Sequence, residues 1–262
     1  MTSRNSNLPR WLLLTGILAL NGAQAEPVIA LIVDDLGFRY SESRRATALP
    51  GPVACAVIPG TPHGEKMARA AHASGKEVML HLPMEPVDRS RPVGAHGIDL
   101  QTTRDGITST LQAGIEAVPH VSGVNNHMGS LITRHPGHMS WLMQDLRESG
   151  LFFVDSVTTE SSVALSMARE AGVSATRRDM FLDSEQADEQ EIHQRLQRLV
   201  ELAQRRGHAL GIAHPFPATM TVLERELPRL DGVKLVSVRE LIALRSQAQQ
   251  AERLTIAVEK TQ

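Results

Sequence analysis

PVIALIVDDLG, residues 27–37, is apolar at seven successive positions and then turns abruptly to charge. A strand with one wet face alternates apolar and polar side chains. An unbroken apolar run suits a strand covered on both faces, as in a parallel sheet wrapped by helices. Similar short runs recur at 53–58, 77–80, 121–125, 151–154, 180–182, 209–213 and 233–238. Segments of helical character separate them, at 63–74, 103–117, 137–149, 159–171, 187–206, 218–227 and 238–248. Glu148-Ser149-Gly150 stops one helix directly before Leu151-Phe152-Phe153-Val154, and Gly75 and Gly207 divide helix from strand in the same way. This alternation predicts an α/β fold: a distorted (β/α) barrel of seven or eight mostly parallel strands wrapped by helices. An open doubly wound sheet is the alternative.

Outward from that frame, Arg4 and Arg10, the apolar run WLLLTGILAL at 11–20 and the small-x-small triplet Ala23-Gln24-Ala25 predict a cleaved signal peptide over 1–25. Ten apolar residues span only about 15 Å as a helix, roughly half a bilayer core, so no stable membrane anchor is expected. An uncleaved N-terminal anchor is the other reading. The remainder divides into one domain over 26–245 and a polar, flexible tail over 246–262, in a protein exported to the periplasm or secreted. Cys55, the single cysteine, can form no internal disulfide and sits in VACAVI as a small core residue. A formal charge of −2 and the absence of any Lys/Arg-rich run argue against nucleic-acid binding. Aromatic residues make up 3% of the chain, which argues against a long ring-lined carbohydrate groove.

Residues able to hold a metal stand where the apolar runs stop. In parallel α/β folds these carboxyl ends share one face, where active sites collect. Two adjacent carboxylates, Asp34 and Asp35, are unfavourable after a buried strand unless something neutralises them. In extended chain they point apart, but a bent strand end brings both to one pocket, where one can ligate a metal and the other accept a proton. A helix N-cap with a surface acid is the alternative. His81 stands in Leu80-His81-Leu82-Pro83-Met84-Glu85, with Glu85 a polar candidate for the rim. Asn125-Asn126-His127-Met128-Gly129-Ser130 is a poor recipe for a core and a good one for a polar pocket. Asp155 and Asp183 end two further runs, with Arg177 and Arg178 upstream of Asp183 as candidates to pair with a pocket carboxylate. His214, before Pro215, ends another.

VDDLG, HLPMEP, NNHMGS, FVDS-x-T and the late I-x-HP, in this order over residues 27–245, resemble the divergent polysaccharide deacetylases, a branch of the NodB-like carbohydrate esterase superfamily. The resemblance implies that Asp34 is a catalytic base, that Asp35 and His81 are metal ligands and that His214 is a general acid. It also implies that Asp155 and Asp183 orient His214 or the ligands. Ordinary members supply two histidines from His-x-x-x-His. Here the position four after His81 is Glu85, and His127 from another strand end is the candidate replacement. Glu85, Asn125 and Asn126 are expected to support the ligands or touch substrate.

Two imidazoles and a carboxylate suit one divalent metal, Zn²⁺ first, with Co²⁺, Ni²⁺ or Fe²⁺ compatible. The expected activity is metal-dependent hydrolysis that removes N- or O-linked acetyl groups from a cell-envelope carbohydrate. Two alternatives stand beside it: a metal-binding envelope scaffold with little turnover, whose partners are cell-envelope proteins, and hydrolysis of another bond by the same site.

Overall fold

The computed structural model describes residues 26–259, so the signal-peptide segment 1–25 lies outside the described residues. β1 (Val28–Leu36) is the hub of the sheet and pairs in parallel with β2 (Ala54–Val57), β8 (His208–Ala213) and the short β9 (Lys234–Leu235). Beyond β2 the sheet continues through β3 (Val78–Met84), β4 (Val121–Met128), β5 (Phe152–Asp155) and β6 (Ala175–Arg177); beyond β8 it ends at β7 (Met180–Phe181). Its two ends, β6 and β7, are neighbours in the chain. Arg178 N donates to Asp155 O (3.0 Å) and Asp179 N to Leu210 O (2.9 Å), so adjacent residues bond opposite ends of the sheet. They draw it round into a distorted (β/α) barrel rather than a doubly wound sheet.

Outside lie α1 (Tyr40–Ala48), α2 (Gly64–Ala73), α3 (Arg104–Ala117), α4 (Pro136–Glu148), α5 (Ala164–Glu170), α6 (Glu189–Arg206) and α7 (Pro217–Glu226), while α8 (Val238–Glu259) follows β9. No helix among the described residues is long and apolar enough to cross a membrane.

Successive side chains of β1 belong to different cores, as the period of a strand requires. Ile29, Leu31 and Val33 pack outward with helix residues such as Ala68, Leu111, Leu142 and Leu199. Val28, Ala30 and Ile32 pack inward with Ala54, Ala56, Met79, Phe152, Val154, Leu210 and Ile212. Two residues on from the inward set, the same parity reaches Asp34 from Ile32, His81 from Met79, Ser156 from Val154 and His214 from Ile212. The polar mouth is therefore the top layer of the barrel interior. Val236, Val238, Leu241 and Ile242 close the opposite end.

Two elements have no counterpart in the sequence pattern. α1 buries only Ser43, Ala46 and Thr47, so it shows no stripe of large apolar residues. β6 is three residues long with only Thr176 buried, and it is held by its ladder to β5 and by Arg245. β3 and β4 also run further than expected, to Met84 and Met128, so His81 and His127 sit within strands rather than beyond them. Pro83 is tolerated inside β3 because its carbonyl, and with it the missing N–H, faces Ile98, whose N–H it accepts at 2.9 Å. The last helix, expected to stop at 248, carries helix as far as Glu259, through the segment expected as a flexible tail.

Arg245 on α8 ties the seam. It donates to Thr176 Oγ1 (2.7 Å), Arg177 O (3.0 Å) and His208 Nδ1 (3.1 Å) and pairs with Asp179. Removing one partner of such a largely buried pair leaves the other uncompensated. Arg245→Met is expected to lower stability by about 3 kcal/mol in equilibrium urea unfolding. A loss under about 1 kcal/mol, the range of exposed pairs, would mean that other contacts hold the seam.

Candidate metal centre

The bend expected at the end of β1 is present. Asp35 takes a left-handed φ of 58°, and the ladder to β2 shifts register between Val33 and Leu36. Gly37 follows at φ 119°, where a Cβ would stand 2.0 Å from Thr61 Oγ1, so only glycine lets the turn close. Met128 (φ 55°), the last residue of β4, and Val157 (φ 48°), two residues past β5, adopt the same conformation. Backbone of this kind costs about 1–3 kcal/mol per residue and persists only where the surroundings impose it.

β3 and β4 supply the imidazoles. Their register sets His81 against Asn125 and Pro83 against His127. His81 Nε2 lies 3.1 Å and His127 Nδ1 2.9 Å from Asp35 Oδ1, and the two nitrogens are 3.3 Å apart. Asp35 Oδ1 itself is shut off from solvent, and these two imidazole nitrogens are the polar groups that face it. A buried carboxylate without compensating charge costs several kcal/mol. Three ligand atoms within 3.3 Å of one another, from one carboxylate and two imidazoles, fit a divalent cation, and among the described residues this is the one such group of three.

Asn125 organises the layer beneath. Its Oδ1 accepts from His81 Nδ1 (2.9 Å), which fixes the tautomer that leaves Nε2 bare for a metal. Its Nδ2 donates to Asp34 Oδ1 (2.8 Å) and to Ser156 Oγ (3.3 Å). Asp34 Oδ2 faces the cluster, 3.7 Å from His81 Nε2. Burial pushes the Asp34 carboxyl above its ordinary range, against the pull of His81 and His214. Burial also pushes Asp35 up, but the two imidazoles outweigh it and hold that carboxyl well below the usual range.

His214 stands on the other side of a slot of about 150 Å³ lined also by Asp35, Phe38, Arg39, Pro215 and Phe216. Its Nδ1 bonds Asp183 Oδ1 (2.8 Å), and its backbone N–H donates to Asp183 Oδ2 (2.7 Å), which also accepts from Thr219 Oγ1 (2.8 Å). Burial alone would lower the His214 pKa; the bond to Asp183 and the nearby carboxylates overcome it and raise it to about 9.

Asp34, Asp35, His81, Asn125, His127, Asp183 and His214 are thus brought to one mouth. Other expected members stand apart from it. Glu85 accepts from Leu100 N (2.9 Å) and anchors the 85–100 loop. Asn126 bonds Ser156 N (2.9 Å) and Met128 O (2.7 Å), shaping backbone rather than ligand. Asp155 bonds Val157 N (2.9 Å) and Ser162 Oγ (2.7 Å) and touches neither His214 nor the three ligands. Among the described residues Arg178 pairs with no carboxylate; it donates to the carbonyls of Ser156 (2.7 Å) and Val157 (2.8 Å), while Arg177 is exposed. Thr219, Phe38, Arg39 and Phe216 escaped the sequence reading. The last three flank Gly37 and Pro215, and only the positions of those breaks hinted at their place.

Fold and site together define a barrel protein with a candidate divalent-cation centre at the carboxyl ends of its strands. Residues 31–242 match the model of the divergent polysaccharide deacetylase family, and the chain belongs to that family. It is 35% identical over 227 residues to the uncharacterized protein YibQ of Escherichia coli K12, covering 86% of this chain and 70% of that one. It is 32% identical over 220 residues to an uncharacterized protein of Haemophilus influenzae, covering 83% and 77%. The crystal structure of an uncharacterized protein from Agrobacterium tumefaciens C58 shares the fold, with a TM-score of 0.78 at 24% identity over 84% of this chain and 90% of that one. The family implies a carbohydrate substrate.

Because His214 is raised above its unfolded value near 6.5, its contribution to stability is complete below about pH 6.5 and is lost as pH rises through about 9. That contribution is at most ~3 kcal/mol. In metal-free protein, NMR titration should place His214 near 9, and Asp183→Asn should drop it to 6.5 or below as burial takes over. An unchanged value in Asp183→Asn would show that Asp183 does not hold the proton.

Proposed function

We propose that this protein is a metal-dependent hydrolase that removes an N- or O-linked acetyl group from a cell-envelope carbohydrate. The observation that carries this reading is the convergence of Asp35 Oδ1, His81 Nε2 and His127 Nδ1 within 3.3 Å of one another, beside the slot that Asp35 lines. Asp35, His81 and His127 would hold the cation, Zn²⁺ by ligand type, with Co²⁺, Ni²⁺ or Fe²⁺ compatible. When bound, the cation supplies Lewis-acid polarisation of the acyl group and acidifies water.

The remaining work falls to the chain's own groups. Asp34, with Oδ1 fixed by Asn125 and Oδ2 facing the cluster, takes the proton of a water that attacks the acyl carbon. Its raised pKa suits that task, since a base poised nearer neutrality holds the proton it accepts. His214, held charged by Asp183, delivers a proton to the departing nitrogen or oxygen. The residues that do this sit on strands or directly after them, so little reorganisation is needed on binding. The segment 1–25 supports export, and the protein is proposed to act in the periplasm or beyond it.

Purified protein should bind one equivalent of zinc and release acetate from acetylated glycans. Asp35→Ala and His127→Ala should weaken zinc binding by two orders of magnitude or more. Asp34→Asn and His214→Ala should keep the metal and lose about 10²–10⁴-fold in turnover. Zinc-loaded protein that releases no acetate across a panel of N- and O-acetylated glycans would defeat the hydrolase reading.

A further inference from the structure

The chain is poor in aromatics, with five phenylalanines, two tryptophans and one tyrosine, but the phenylalanines outside the core are not scattered. Phe152 and Phe153 are buried. The other three phenylalanines gather at the mouth: Phe181 and Phe216 flank His214, with ring centroids at 5.7 and 5.6 Å, and Phe38 lines the slot opposite Phe216. Phe38 is 60% exposed, and Tyr40, two residues on, is 42% exposed. Exposed rings at the rim of a polar pocket mark a binding surface rather than a core. Arg39, between them, also lines the slot and is exposed. Among the described residues it makes no ion pair, although Arg44 and Arg45 close by bond Thr47 and Glu224. Its nearest acid in sequence, Glu42, accepts instead from Ser41 Oγ at 2.5 Å.

From this we infer that the slot is a subsite for one sugar ring bearing a carboxylate, with Phe38 and Phe216 packing on the ring and Arg39 pairing with the acid. A volume of about 150 Å³ is below the ~300–1,000 Å³ of pockets that enclose drug-sized ligands, so a single ring fits better than a stretch of chain. An unpaired guanidinium matches a planar carboxylate in a two-pronged contact. Inside the slot, Asp35 would be engaged by the cation and the His214 ring is paired with Asp183, which leaves Arg39 as the group free to read the substrate's charge. The identity of the ligand rests on the carbohydrate reading proposed above, but the binding preference does not depend on turnover.

The test compares N-acetylglucosamine with N-acetylmuramic acid, the same amino sugar carrying a lactyl carboxylate, by NMR titration of zinc-loaded full-length protein at neutral pH. Wild type should bind the acidic sugar about five- to tenfold more tightly. In Arg39→Gln the ratio should fall to about one, and in Arg39→Lys part of the preference should return. Phe38→Ala should weaken both sugars alike. Equal affinities in wild type, no binding of either sugar, or a preference that survives Arg39→Gln would each overturn the inference; the last would also point to the cation as the carboxylate's partner. Acetate release measured in parallel separates the two proposals. An Arg39-dependent preference without acetate sinks the hydrolase reading and keeps the subsite, whereas acetate released from both sugars with equal kcat/KM, in wild type and Arg39→Gln alike, does the reverse.

Discussion

Charge set at the end of a hydrocarbon-filled barrel has to be neutralised, and most of the mouth's architecture answers that constraint. The interior column of β1 passes from Val28, Ala30 and Ile32 to Asp34, and the left-handed Asp35 adds a second carboxylate to the same place. Neither can simply be exposed: Asp34 is buried, and Asp35 Oδ1 has no solvent around it. Two imidazoles from β3 and β4, the amide of Asn125 and the Asp183-bound His214 surround them. Without a cation, part of that compensation is protonic, since His81 is raised by Asp34 and Asp35 against the effect of its burial. A dication in the centre would displace such protons and supply the charge directly.

The frame of this arrangement was legible in the chain, because buried parallel strands carry unbroken apolar runs and the sequence has one for every strand but β6. Asp35, His81 and His127 were legible for a related reason: a polar residue that interrupts hydrocarbon has a task. Strand lengths were harder. Leu82-Pro83-Met84 reads as a loop because proline ends most strands, and only the pairing of Pro83 with Ile98 shows why it does not end this one. β6 and α1 carry no pattern at all; tertiary contacts make them, Arg245 for the first and small buried residues for the second.

Roles within the site divided along the same line. Positions are set by the strand period, but hydrogen-bond partners depend on side-chain directions that no spacing encodes. Glu85 and Asp155 end apolar runs just as Asp183 does, yet they tether loops, while Asp183 grips both the ring and the backbone of His214. The low aromatic content speaks to a long ring-lined groove and not to a single small slot. A composition is an average, and here three of the five phenylalanines stand at the slot or against His214, where their number matters less than their place.

The proposed chemistry depends on one cation held by one carboxylate and two imidazoles. Crystals grown with zinc and measured at the zinc absorption edge test it directly. The predicted result is a single strong anomalous peak about 2.0–2.2 Å from Asp35 Oδ1, His81 Nε2 and His127 Nδ1. A peak elsewhere, for instance at the neighbouring His135 and His138, with none at the barrel mouth, would contradict it.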